Sequence, residues 1–216
     1  MTTVADLVEV VVMNDGFPLL AGTTLRIDAG AVTVLTGDNG AGKTSLLRLL
    51  AGLLPLTSGS AQVLGLDLSS GDRRQLRRRV GWLGHEGSFY DDLTVSENLT
   101  FAARATERPL DDIAPALERV GLTTRRDTQT KQLSAGQRRR LGLAWLLVRR
   151  PALWLLDEPY ASLDAAAREF LDGLLVDVLS GGAAVVVSSH DPLGHGTFPT
   201  RTVLMAGGRV SGDVTE

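Results

Sequence analysis

Residues 32–53 place the tightest constraint on what this chain can become. The apolar, β-branched run Val32-Thr-Val-Leu35 leads into Gly37-Asp38-Asn39-Gly40-Ala41-Gly42-Lys43-Thr44-Ser45, and leucines at 46, 47, 50 and 53 then recur at helical spacing over Lys43–Leu53. Strand, glycine turn and helix in that order satisfy G-x-x-x-x-G-K-[S/T] in the setting where the pattern has mechanical meaning. The glycines let successive backbone N–H groups turn inward around a phosphate, the helix adds the positive end of its dipole, and Thr44 offers a hydroxyl to Mg²⁺. A glycine turn that merely starts an ordinary helix has no use for Lys43. Of 22 basic residues only Lys43 and Lys131 are lysine, so a compact ammonium is kept where a planar guanidinium would crowd phosphate oxygens. Nucleotide binding by residues 37–45 is the expectation.

The rest of the chain alternates strands and helices. Strands are expected at Val8–Val12, Thr24–Asp28, Val32–Thr36 and Val80-Gly-Trp-Leu83. Residues 95–148 carry leucines and alanines at three- and four-residue intervals, and Pro151 closes this helical stretch. Leu153-Trp-Leu-Leu156 follows as an apolar strand of the kind buried in a parallel sheet. A helix at about Ala165–Leu179 stops at Gly181-Gly182, a strand spans Ala184–Val187, and a final pair, Thr202–Met205 and Arg209–Val210, turns at Gly207-Gly208. This order describes an α/β fold with a parallel core.

The Leu153 strand delivers Asp157 and Glu158 at its carboxyl end, the edge of an open α/β sheet where ligands bind. Adjacent strand side chains point to opposite faces, so the acids are expected to divide their work: Asp157 on Mg²⁺ through water, Glu158 on the attacking water. His190, at the end of a later strand, is the candidate contact to the γ-phosphate from the other side.

Composition excludes several classes. A chain of 216 residues, 44% hydrophobic, buries one sizeable core. A net charge of −3 gives no global pull towards nucleic acid. Arg77-Arg-Arg79 and Arg138-Arg-Arg140 lack interleaved aromatics and read as solvated helix faces, so no nucleic-acid partner is expected. No cysteine and only three histidines argue against disulfides and thiolate metal sites. No run approaches 18 uncharged apolar residues, and Met1-Thr-Thr-Val-Ala-Asp6 shows no basic-then-apolar leader; a cytoplasmic location is expected.

Leu133-Ser134-Ala135-Gly136-Gln137 precedes a helix expected at Arg138–Val148 and lies ahead of the Leu153 strand. With the phosphate loop, the acid pair, Ser162-Leu163-Asp164 and Ser189-His190-Asp191 in this order, the whole chain resembles the ATP-binding cassette (ABC) ATPase family. The resemblance implies a P-loop NTPase (RecA-like) core with an antiparallel β subdomain at its N-terminal side and an inserted α-helical subdomain. One domain would fill residues 1–216, with the core at 1–88 and 151–216 and the helical signature subdomain at 89–150. It implies ATP and Mg²⁺ as ligands, with Lys43, Glu158 and His190 catalytic and Thr44 and Asp157 on the metal. Ser134, Gly136 and Gln137 would meet the γ-phosphate of ATP held by a second subunit, and Asp164 would lie in the loop crossing that dimer interface. It further implies self-association into an ATP-sandwich dimer. Integral membrane permease subunits would dock beside the helical subdomain near residues 85–98, holding the chain peripherally on the inner face of the cell membrane.

Two positions depart from the family. His85 stands where most cassettes carry a glutamine that contacts Mg²⁺ and water, so an imidazole would take over that metal contact only in part and make it depend on pH. For the aromatic that stacks on adenine, Asn14 or Asp15 falls near the expected position, with Phe17 close by. Leu83-Gly-His-Glu-Gly87, the run 133–141 and Leu153-Trp-Leu-Leu-Asp-Glu-Pro159 resemble the ATPases of the haem exporter of cytochrome c maturation. That implies haem export or delivery; a small exporter of drugs, lipids or peptides is the alternative. Cassettes working on ribosomes or DNA carry tandem cassettes or long coiled coils, and this chain has one cassette and no sustained heptads.

Overall fold

A computed structural model describes residues 2–84, 89–161, 163–190 and 198–214. Strands β1 (Thr3–Asn14) and β2 (Phe17–Asp28) form an antiparallel pair far longer than the expected segments Val8–Val12 and Thr24–Asp28. Glu9 sits at φ 49 in a bulge, which breaks the in–out alternation of β1 and hides its length from a period-two reading. Strand β3 (Val32–Thr36) is buried along its length, and helix α1 (Lys43–Leu50) follows the glycine loop. The helix stops short of Leu53 because Ala51 caps it and Gly52 turns to φ 68, leaving Leu53 half exposed.

Strands β4 (Ser58–Val63) and β5 (Leu66–Asp67) complete a four-stranded sheet in the order β2-β1-β4-β5. Helix α2 (Arg73–Arg79) begins at an Asp72 cap, whose carboxylate accepts from Arg74 N–H at 2.8 Å, and strand β6 (Val80–Leu83) follows.

The helical stretch resolves into α3 (Val95–Ala105), α4 (Ile113–Arg119) and α5 (Ala135–Arg149), with one 3₁₀ turn between α3 and α4 and two between α4 and α5. Thr94 and Glu97 form a capping box at α3. Asn98 is fully buried; its amide oxygen accepts from Tyr90 N–H and its NH₂ donates to the Tyr90 carbonyl and the Thr130 hydroxyl, each at 3.0 Å. A buried amide so fully satisfied pins the loop before α3 to the turn before α5.

Strand β7 (Leu153–Asp157), helix α6 (Ala165–Ser180), strand β8 (Ala184–Ser188) and the antiparallel pair β9 (Thr200–Ala206) and β10 (Arg209–Val214) complete the chain. The second sheet has the order β10-β9-β3-β8-β7-β6, with β3 parallel to both β8 and β9 and β7 parallel to β8. Its central strands read as unbroken apolar runs because both faces are covered. Leu46, Leu47, Leu49 and Leu50 of α1 are fully buried in the same core as Leu35, Leu155 and Val186.

The chain divides into two compact units, Met1–Trp82 with Ala152–Glu216, and Leu83–Pro151. The first is an α/β unit carrying both sheets and the second is helical. Among the described residues no helix is long and apolar enough to cross a membrane.

Candidate nucleotide-binding and hydrolytic site

The α/β unit brings the phosphate loop, the acid pair and His190 to the carboxyl ends of β3, β7 and β8. Helix α1 starts at Gly42 with no side-chain cap and no acidic residue in its first turn. Helices α2, α3, α5 and α6 are capped by a side chain, and α4, which has no such cap, runs on directly from a 3₁₀ turn. An uncapped N-terminus leaves inward N–H groups and the positive end of the dipole for an anion. Lys43 is 7% exposed, and its Nζ donates to the carbonyls of Gly37 at 2.6 Å and Asp38 at 3.2 Å, so the ammonium is folded back over its own loop. Asp38, Asn39 and Gly40 are exposed at the loop tip, while Ala41 is buried and Ser45 half-buried behind it.

Gly37 shows why the loop tolerates no side chain there. It holds φ 138, and a Cβ would lie 2.2 Å from the Met205 carbonyl oxygen. Gly37→Ala is expected to lower stability by at least about 1–3 kcal/mol, through backbone strain plus this clash. Thermal unfolding of the purified variant checks it, and an unchanged melting temperature would contradict the packing described here.

Thr44 and Asp157 meet at the base of the loop. The Thr44 hydroxyl lies 2.9 and 3.1 Å from the two Asp157 carboxylate oxygens. A hydroxyl and a carboxylate brought together beside a phosphate loop are the hard oxygen donors that Mg²⁺ accepts, the rest of its shell coming from phosphate and water. These residues therefore fit the ion.

Glu158 departs from the strand reading. β7 ends at Asp157, and Glu158 has φ 50, so the acids are separated by a left-handed backbone turn rather than by strand alternation. Ser188 ties that turn to β8: Glu158 N–H donates to the Ser188 hydroxyl at 2.9 Å, and the Ser188 hydroxyl donates to Asp157 Oδ1 at 2.5 Å. His190 Nε2 lies 3.3 Å from Glu158 Oε1, with about half of the imidazole exposed, so the sequence-predicted histidine reaches the acid directly. Tyr160 is 7% exposed and donates its phenol to Asp172 Oδ1 at 2.5 Å, tying the turn to α6; burial beside that carboxylate pushes the phenol pKa upwards. Asp164 is exposed and caps α6, accepting from Ala167 N–H at 2.8 Å.

The signature segment lies in the helical unit. Ser134 caps α5 and forms a capping box with Gln137: its Oγ accepts from Gln137 N–H at 3.2 Å, and Gln137 Oε1 accepts from Ser134 N–H at 3.0 Å. The helix therefore begins at Ala135, three residues before the expected Arg138, and takes Gly136 into its first turn. Among the described residues, a Cβ on Gly136 would meet nothing within 4 Å.

Ser188 and the Tyr160–Asp172 pair escaped the sequence reading. Ser188 stands beside Ser189 with nothing in the pattern to tell them apart, and the Tyr160–Asp172 link needs the placement of α6. Phe89, Trp145, Phe101 and Tyr90 also gather in the helical unit, at centroid separations of 5.8, 6.2 and 5.1 Å along that series, with Tyr90 and Phe101 exposed at its edge. At the turn into β2, Phe17 is 74% exposed. His85, assigned to the metal from the sequence, lies outside the described residues, as do Ser162 and Asp191. Among the described residues no cluster of three or more His, Asp or Glu side chains forms a metal cage.

Comparison with known proteins agrees with this arrangement. Residues 20–161 match the ABC transporter family. The chain is 42% identical over 188 residues to the cytochrome c biogenesis ATP-binding export protein CcmA of Dechloromonas aromatica (strain RCB), covering 86% of this chain and 90% of that protein. It is 40% identical over 193 residues to the CcmA protein of Xanthomonas axonopodis pv. citri (strain 306), covering 87% and 86%. In fold it matches the ATP-binding subunit of an ABC transporter with a TM-score of 0.90 at 24% identity, covering 98% of this chain and 90% of that one. It also matches a dimeric ATP-binding cassette in a post-hydrolysis state with ADP and Pi, with a TM-score of 0.87 at 24% identity and 97% coverage of both. The uncapped phosphate loop, the acid pair at the end of β7 and these likenesses together show that the chain belongs to the ABC transporter family, as an ATP-binding cassette related to the CcmA proteins.

Proposed function

We propose that this chain hydrolyses ATP as a homodimer on the inner face of the membrane and drives haem export or delivery for cytochrome c maturation through partner permease subunits. The observation that carries the dimer is Gly136. Glycine in a helix costs about 0.5–1 kcal/mol relative to alanine, and none of the described residues requires the absence of a side chain there. A ligand arriving from outside accounts for it: the γ-phosphate of ATP held on a second copy, received by the first-turn N–H groups of α5 and by the Ser134 hydroxyl, which keeps its proton to donate.

Within one copy, the Gly37–Gly42 loop and Lys43 surround the triphosphate. Glu158 orients the attacking water and takes its proton, and His190 supports Glu158 and the departing phosphate. Thr44 and Asp157 hold Mg²⁺, which when bound neutralises charge on the phosphate oxygens. Phe17 offers an exposed ring to adenine: Leu19, two residues on, places its carbonyl 3.0 Å from a Cβ built on Gly42. The exposed edge of Tyr90 and Phe101 suits an apolar cytoplasmic segment of a permease.

Gly136→Ala separates the binding role from a packing role. Stability is expected to hold or to rise by about 0.5–1 kcal/mol, while turnover falls on the order of tenfold or more as a methyl group intrudes on the phosphate. Full turnover in this variant would remove the external ligand.

The haem assignment rests on the CcmA relatives, aligned over 86–90% of both chains in the first of them. Replacing the native copy in its host cell by the Lys43→Ala form is expected to abolish covalent haem staining of c-type cytochromes. Normal staining would overturn the haem assignment and leave a drug, lipid or peptide exporter.

A further inference from the structure

We infer that Ser188 is a positioning residue that fixes both acids of the hydrolytic site, an inference that rests on the ATPase function proposed above. The parallel ladder between β7 and β8 ends at the pair Asp157 and Ser188. The Ser188 side chain adds one more rung beyond it. Its Oγ accepts the Glu158 N–H at 2.9 Å, and its own proton goes to Asp157 Oδ1 at 2.5 Å. A hydroxyl has one proton and two lone pairs, so each acid is bound through a different part of the same group.

Both bonds answer a structural need. Asp157 is met by Thr44 from α1 and by Ser188 from β8, so its carboxylate is held from two elements and cannot rotate freely. Glu158 occupies φ 50, a region that non-glycine residues hold only when their surroundings over-determine it. Its N–H to Ser188 is an anchor of that conformation, alongside the Ala161 N–H donated to the Glu158 carbonyl at 3.2 Å. Ser188 is fully buried, so bulk water does not stand in for a lost hydroxyl. Removing that one oxygen frees the Asp157 carboxylate and releases the Glu158 turn together. The Glu158 side chain then loses its fixed aim, although neither bond touches nucleotide.

The test uses the purified full chain as wild type, Ser188→Ala, Ser188→Thr and Glu158→Gln. In Ser188→Ala, kcat is expected to fall about 10- to 100-fold, and the Mn²⁺ concentration that half-saturates the complex with a non-hydrolysable ATP analogue, read by electron paramagnetic resonance, to rise about tenfold. Nucleotide affinity in EDTA should stay within about twofold, because the phosphate loop is untouched. Ser188→Thr keeps the hydroxyl on a strand that favours β-branching and should recover kcat to within about threefold of wild type. Wild-type kcat and Mn²⁺ binding in Ser188→Ala, with Glu158→Gln inactive, would overturn the inference. So would equal loss of kcat and equal loss of melting temperature in the Ala and Thr variants, which would mark Ser188 as packing alone. Normal turnover in Glu158→Gln would instead refute Glu158 as the water-orienting residue, and absence of MgATP hydrolysis by the wild-type chain would bring down the ATPase assignment beneath it.

Discussion

Lys43→Ala is expected to weaken ATP binding about 100-fold while leaving the fold in place, measured by titration with a fluorescent nucleotide and by thermal unfolding. The ammonium sits at the start of an uncapped helix, 2.6 and 3.2 Å from two carbonyls of its own loop, ready to exchange those contacts for phosphate oxygens. A charge-assisted hydrogen bond contributes about 1.5–3 kcal/mol, and each 1.4 kcal/mol is tenfold in affinity, so one such bond with added Coulomb attraction accounts for the expected loss. The Gly37 and Asp38 carbonyls left behind lie in or beside the exposed loop tip, where water replaces the lost donor, so stability should change little. ATP affinity within about threefold of wild type would remove Lys43 from the site.

Glu158→Gln is expected to lower kcat by about 10²- to 10⁴-fold with ATP affinity within about twofold of wild type. Gln keeps the shape of Glu and leaves the backbone bonds that hold the φ 50 turn intact, so the change removes a proton acceptor and little else. Phosphate release in steady state and nucleotide binding at equilibrium separate the two quantities. Undiminished kcat would refute Glu158 as the water-orienting residue.

Most of the elements that carry the candidate site were legible in the sequence because they are local. The phosphate loop is one strand–turn–helix unit and the acid pair ends one apolar strand, whereas the expected start of α5 at Arg138 overlooks the capping box that starts it at Ala135. Elements that exist only through tertiary pairing were silent. β4 reads Ser-Gly-Ser-Ala-Gln-Val and buries only Ala61 and Val63, so it carries no strand pattern of its own and takes its shape from pairing with β1. α2 has five arginines in seven residues and a single buried side chain, Leu76, which leaves no periodicity to detect. The same limit applies within the site. Neither the turn at Glu158 nor the rung from Ser188 could be read along the chain, because both depend on where β8 lies beside β7. Strand alternation therefore separated the two acids for the wrong physical reason.

In the proposed dimer each working ATP site is built from the phosphate loop of one copy and the Ser134–Gln137 turn of another. Sedimentation velocity of the Glu158→Gln chain, with and without MgATP, tests it most directly. The expected result is a dimer that forms with MgATP, does not form with ADP, and is lost when Gly136→Ala is added. A chain that stays monomeric at saturating MgATP would contradict the shared site.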